Sequence, residues 1–397
     1  MVAVMVASLA SPAGAQARRF DFTGAPAGPG WTDVGEHQAF DPALGFGFEA
    51  DAGDPPPFSV TAPEGDYRVT VIPRDGQPLT VRAESRRLMV QDATGPQRFT
   101  VNVRNPDLDP VPANAPGGPR VRLNPRETGS RSWDDRLTLL FGDGVAQVEI
   151  EPVEARRIVL LGDSTVADQA GGDYASWGQM LPRFVGGEIA VANHAELGET
   201  LKSFLTSLRL DKALSQMRPD DLVLIQFGHN DSKTQWPQTH AGAATTFRSY
   251  LRVYIDEVRR RGARPVLVTS PHRRSFGPDR RIVNTHGDYP AAVHAVGAEQ
   301  AVPVIDLNAT SAVLYEALGP DRSRAAFADQ GRDATHHNAY GAWLLAWAVA
   351  DALAEIPDAT GTVRSDTGRL DPTRPPPPDS IATAAANAPA TPRPAGW

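Results

Sequence analysis

The chain has 397 residues, 41% of them hydrophobic, enough for a sizeable core and for more than one domain. A formal net charge of −8 works against a nucleic-acid partner, whose phosphates it would repel. There is no cysteine, so disulfides, a thiol nucleophile and thiolate metal sites are excluded.

In chain order, residues 1–17 read as a signal peptide: an apolar run broken by Pro12, followed by small residues at the spacing of a cleavage site. The run is shorter than the roughly 20 apolar residues that span a bilayer. The expected location is secreted or periplasmic, with no membrane partner. Residues 18–153 read as an all-β sandwich. Short alternating runs at Tyr67–Ile72, Leu79–Ala83, Arg98–Arg104, Arg136–Phe141 and Ala146–Glu151 are separated by turn residues such as those at Pro63–Asp66.

Near Arg157 the pattern changes. Continuous apolar runs at Ile158–Leu161, Ile189–Ala192, Leu222–Phe227, Pro265–Thr269 and Val302–Leu307 have the character of strands buried on both faces. Between them Phe247, Leu251, Tyr254 and Val258 share one helical face that stops at Gly262, and a last helix is expected over Ala339–Leu353. Residues 154–356 are therefore expected to form a doubly wound α/β domain with a five-stranded parallel sheet, whose site lies at the carboxyl ends of the strands. Residues 357–397, rich in Pro and Ala, are expected to be a disordered tail.

Four segments at those strand ends carry chemistry. Gly162-Asp-Ser164 places a serine hydroxyl where a substrate can reach it; such a hydroxyl needs a base and donors for the oxyanion it creates. Asp333-Ala-Thr-His336 offers both base and orienter, because an Asp three residues before a His can accept from its Nδ1–H and leave Nε2 facing Ser164. His337 should diverge from His336. Asn230, after the strand at Leu222–Phe227, and Gly198, after the strand at Ile189–Ala192, are candidate oxyanion donors beside the Ser164 N–H. Each segment alone is weak; their order, each at a strand end, is the signal. In the loop after the fourth strand, Arg273 and Arg274 are candidate contacts for a substrate carboxylate. No histidine spacing suits a metal site, and no cofactor is expected. Paired carboxylates for glycoside hydrolysis, drawn from Asp163, Asp168 and Asp231, are a rival chemistry that would leave Ser164 and His336 without a role.

The blocks Gly162–Asp168, Trp177-Gly-Gln179, Phe227–Asp231, Thr285–Pro290 and Asp333-x-Thr-His336-x-Asn-x-x-Gly341 resemble the SGNH (GDSL) hydrolase superfamily, and within it the rhamnogalacturonan acetylesterases, over about residues 157–354. The resemblance implies a flavodoxin-like sheet, a Ser164–His336–Asp333 triad, an oxyanion hole of the Ser164 N–H, Gly198 and Asn230, and deacetylation of pectic polysaccharide from plant cell walls. Glu199-Thr200 departs from the Arg and Ser usual in that family after the oxyanion glycine. The sandwich is similar to the galactose-binding-like domains that precede many bacterial members. Rival readings are an esterase acting on acetylated xylan or sialic acid, a lipase or thioesterase, and an inactive carbohydrate-binding protein.

Overall fold

The structure, a computed structural model, describes residues 17–36, 38–49, 56–111 and 118–380. The expected signal peptide, apart from Ala17, and residues 381–397 of the expected tail lie outside the described residues.

Among the described residues the first half contributes ten strands: β1 (Arg18–Asp21), β2 (Thr32–Asp33), β3 (Phe46–Phe48), β4 (Phe58–Thr61), β5 (Gly65–Pro73), β6 (Leu79–Ala83), β7 (Arg87–Ala93), β8 (Gln97–Val103), β9 (Arg136–Leu140) and β10 (Val145–Val153). The second half adds β11 (Arg156–Gly162), β12 (Ile189–Asn193), β13 (Leu222–Gln226), β14 (Arg264–Val268) and β15 (Val304–Ile305). Its helices are α1 (Trp177–Met180), α2 (Leu201–Thr206), α3 (Arg209–Gln216), α4 (Thr246–Arg260), α5 (Tyr289–Gln300), α6 (Leu307–Arg322), the distorted turn α7 (Ala328–Gly331) and α8 (Ala339–Ala354).

In the second half the five strands run parallel in the order β15-β14-β13-β11-β12. The continuous apolar runs follow from burial on both faces. In β11, Ile158 and Leu160 enter one core while Val159 and Leu161 enter the other; in β13, Leu222 and Leu224 part from Val223 and Ile225 in the same way. Helix α4 packs on one of these cores through Phe247, Leu251, Tyr254 and Val258, and α8 on the opposite one through Leu345, Val349 and Leu353. The fifth strand is shorter than the run Val302–Leu307 because Asp306 caps α6, its side chain accepting from the Ala309 N–H at 3.0 Å.

The first half is a two-sheet sandwich. One sheet has the order β3-β4-β9-β6-β7; the other is built on β8-β5-β10-β1-β2, and Phe20, Phe58, Val69, Val81 and Leu137 fill the space between. This second sheet is not separate from the parallel one. Strand β8 pairs with β12, Thr100 opposite Ala190 and Val101 opposite Val191, so a single ten-stranded sheet runs through both halves. Buried ion pairs reinforce the seam: Arg157 to Asp66 at 2.8 Å and Arg87 to Asp168 at 2.7 Å. Breaking one such buried pair from one side costs on the order of 3–5 kcal/mol.

Residues 357–380 correct the expectation of a disordered tail. Arg364 N–H donates to Phe184 O at 2.9 Å, Tyr340 Oη–H donates to Pro376 O at 2.8 Å, and Leu370 is buried. Prolines give this segment no periodicity, yet their carbonyls remain acceptors and its few apolar side chains cover the edge of the core holding α8.

Candidate active site

Strand β11 ends at Gly162, and the chain turns at once. A Cβ on Gly162 would stand 2.6 Å from Val166 Cγ2 and 3.0 Å from Gln226 O, so only glycine lets the turn fold back over the strand end. The Val166 and Ala167 N–H groups both donate to Asp163 O, and Asp163 Oδ1 accepts from the Thr165 N–H and Oγ1–H. Ser164 is thereby fixed at the carboxyl edge of the sheet, and its carbonyl accepts from Gln169 Nε2 at 2.8 Å.

Ser164 Oγ lies 2.9 Å from His336 Nε2, and His336 Nδ1 lies 2.9 Å from Asp333 Oδ2. The other carboxylate oxygen, Oδ1, accepts from the Thr335 and His336 N–H groups at 2.7 and 2.8 Å. Burial alone would raise Asp333, but the hydrogen bonds and charge of His336 together with these N–H groups outweigh it and hold the carboxyl well below its usual range. Asp333 is thus an anion beside the ring, which fixes the proton on Nδ1 and leaves Nε2 as acceptor toward Ser164. His337 does point away: its Nε2 shares a 2.6 Å hydrogen bond with Tyr315 Oη, and burial lowers its pKa to about 3.

Gly198 has φ +80°, a conformation that favours glycine. Among the described residues neither its N–H nor that of Ser164 has a hydrogen-bond acceptor. Asn230 Nδ2 donates one proton to Glu199 O at 3.0 Å, which leaves its second proton available. The Glu199-Thr200 departure is accommodated without blocking this corner. The Glu199 carboxylate takes hydrogen bonds from Arg209 and Ser203, and the Thr200 side chain caps α2 by accepting from the Ser203 N–H at 3.0 Å.

The three acids considered for glycoside hydrolysis are held by the scaffold. Asp168 pairs with Arg87 and accepts from Asn193; Asp231 accepts from the Leu201 and Gly228 N–H groups, and its pKa is raised to about 7 by burial; Asp163 braces its own turn. The two arginines divide. The Arg274 guanidinium donates to Gly331 O at 2.7 Å and lies 5.8 Å from the Phe327 ring centroid, lacing down the loop that carries Asp333 and His336. Arg273 makes only longer contacts, 3.2–3.3 Å to Thr285 and His229 O, and has no carboxylate partner among the described residues.

Residues of the first half that reach this site carry no sequence signal. Arg86 donates to Gln169 O, Gly172 O and Tyr174 O, across the loop that brings Tyr174 to 6.1 Å from the His336 ring. Arg126 reaches the Gly198 loop directly, and Glu127 does so through Arg209. Their spacing to the site, 70 residues or more, is invisible to any local motif.

Residues 160–344 match the GDSL-like lipase/acylhydrolase family. The chain is 38% identical over 213 residues to the rhamnogalacturonan acetylesterase RhgT of Bacillus subtilis, covering 50% of this chain and 90% of that one. It is 34% identical over 207 residues to the probable rhamnogalacturonan acetylesterase YesY of the same organism, covering 51% of this chain and 94% of that one. Among solved structures, protein YxiM of Bacillus subtilis aligns with 25% identity and a TM-score of 0.49, covering 85% of this chain and 98% of that one. The chain belongs to the GDSL-like lipase/acylhydrolase family.

Proposed function

We propose that the protein is a carbohydrate O-acetylesterase that acts on acetylated pectic polysaccharide of the rhamnogalacturonan type through an acetyl-serine intermediate. One observation carries the reading: Ser164 Oγ, His336 and the Asp333 carboxylate form a continuous relay of two 2.9 Å contacts at a strand end. The names of the relatives support the substrate class. His336 Nε2 takes the proton of Ser164 as Oγ bonds to the acetyl carbon. The carbonyl oxygen becomes an anion held by the N–H groups of Ser164 and Gly198 and by Asn230 Nδ2. Collapse breaks the bond to the sugar oxygen, which leaves with the proton from His336. Water repeats the sequence, His336 again acting as base, and releases acetate. The leader read at residues 1–17 supports an exported enzyme that meets its polymer outside the cytoplasm.

Arg273, which makes no salt bridge among the described residues and lies beside the turn that carries Asn230, is the residue we propose to face a uronate next to the acetylated sugar. The test is acetate release from acetylated rhamnogalacturonan, acetylated xylan and a neutral aryl acetate, for the wild type and Arg273→Ala. The pectic polymer should be the best substrate. Arg273→Ala should lower kcat/KM on it by about 10-fold, the worth of one charge-assisted contact, and leave the aryl acetate unchanged. Preference for xylan would redirect the substrate assignment, and equal effects on all three would remove Arg273 from substrate binding.

A further inference from the structure

The Gly198 loop is held on both sides: directly by Arg126 of the sandwich half, and by Arg209 of α3, whose guanidinium the sandwich residue Glu127 pairs. Before the glycine, Arg126 donates through Nε to Glu196 Oε1 at 2.8 Å and through Nη2 to Leu197 O at 2.6 Å. After it, the Glu199 carboxylate accepts from Arg209 Nε at 3.2 Å, and the opposite end of the same guanidinium pairs with Glu127. Glu127 is in turn fixed by the Trp133 Nε1–H at 2.9 Å and the Asn124 N–H at 2.7 Å. The backbone carbonyl of Glu199 is the acceptor that orients Asn230 Nδ2. One cluster thus touches residues 196, 197 and 199 and, through Glu199, the Asn230 amide.

We infer that Arg126 and the Glu127–Arg209–Glu199 chain are positioning residues that set both oxyanion donors, the Gly198 N–H and Asn230 Nδ2, so that the sandwich half is part of the catalytic apparatus. This inference rests on the assignment of Ser164 as nucleophile and of Gly198 and Asn230 as oxyanion donors.

The physical need is plain. A glycine flanked by loop residues has wide backbone freedom, and oxyanion donors work only when held within about 0.5 Å of their place. The side chains of Arg209, Glu127 and Glu199 are 0%, 5% and 8% exposed, so these contacts act at low dielectric and are weakly screened. Three carboxylates face two guanidiniums here. Burial, with the nearby Glu127 charge, raises the Glu196 carboxyl, and burial raises Glu199 as well. Glu127, despite burial, is held below its usual range by Arg209 and remains the anion that aims it.

A cluster that merely joined the two halves would change stability and leave turnover of the folded enzyme alone. The full-length chain is therefore compared as wild type, Arg126→Met, Arg126→Lys and Glu199→Gln on a small aryl acetate, at a temperature where circular dichroism shows each folded. Arg126→Met and Glu199→Gln should lower kcat by about 10- to 100-fold, a part of what deleting an oxyanion donor costs, with KM within about twofold of wild type. Arg126→Lys should recover part of the loss. Should Arg126→Met not fold, Glu199→Gln decides alone. Wild-type kcat in a folded Glu199→Gln, or a loss confined to KM, overturns the inference. A wild-type enzyme inactive on every acetyl ester, or an active Ser164→Ala, would instead overturn the assignment of the nucleophile, and the two failures are separate.

Discussion

The two sides of the site are built differently. The side proposed to attack, Ser164 with His336 and Asp333, is assembled within the second half: Ser164 stands on the β11 turn, and His336 and Asp333 stand three residues apart on one loop before α8. The side proposed to receive the developing charge, Gly198 and Asn230, is contacted by Arg126 from the sandwich and, through Arg209 and Glu199, by Glu127. Local sequence can encode the first, because a triad needs only three side chains on short, ordered turns. The second depends on a backbone N–H and a side-chain amide, whose aim is set by whatever packs behind them. In this molecule that support comes from segments about 70 residues earlier in the chain.

This difference can be broken or sharpened by substitution. The largest effect is expected on the attacking side. His336→Ala should reduce kcat on an aryl acetate by at least about 10⁴-fold, whereas His337→Ala should leave most of the activity and lower stability by about 1–3 kcal/mol through loss of the buried contact with Tyr315. Steady-state kinetics with a thermal melt separates the two. Comparable losses of kcat would show that the base had been misassigned. On the receiving side Asn230→Ala should cost about 10²- to 10³-fold in kcat with little change in KM. If the loss were no larger than that of Glu199→Gln, Asn230 would be acting through the loop rather than on the oxyanion.

Legibility in the sequence follows the same division. The parallel strands could be read because burial on both faces makes them continuous apolar runs, and α4 because Phe247, Leu251, Tyr254 and Val258 recur on one face. The strands β1 to β4 were not read: at two to four residues each they are too short for alternation to show. The β8–β12 seam could not be read either, because pairing between edges leaves no local trace. In the site, Ser164, Asp333 and His336 are brought together as their spacing predicts, since Asp333 and His336 share one loop and Ser164 closes a buried strand. Charge and a place in the loop after the fourth strand make Arg274 a candidate for a substrate carboxylate, but neither says which way a side chain turns; it binds Gly331 O instead. Arg126, Glu127 and Arg209 had no signal at all, because an ion pair across two halves has no fixed spacing. The segment 357–380 was misread for a related reason, since a proline-rich chain can dock by its carbonyls without any periodic pattern.

The central claim is that Ser164, activated by His336, is the nucleophile. The most direct measurement is covalent labelling with an alkyl fluorophosphonate, which phosphonylates an activated serine and expels fluoride, followed by peptide mass spectrometry. One adduct per chain is predicted, on Ser164, formed in step with loss of esterase activity; none should form at that rate in His336→Ala. An adduct on another residue, or full esterase activity in a chain quantitatively modified at Ser164, would contradict the account.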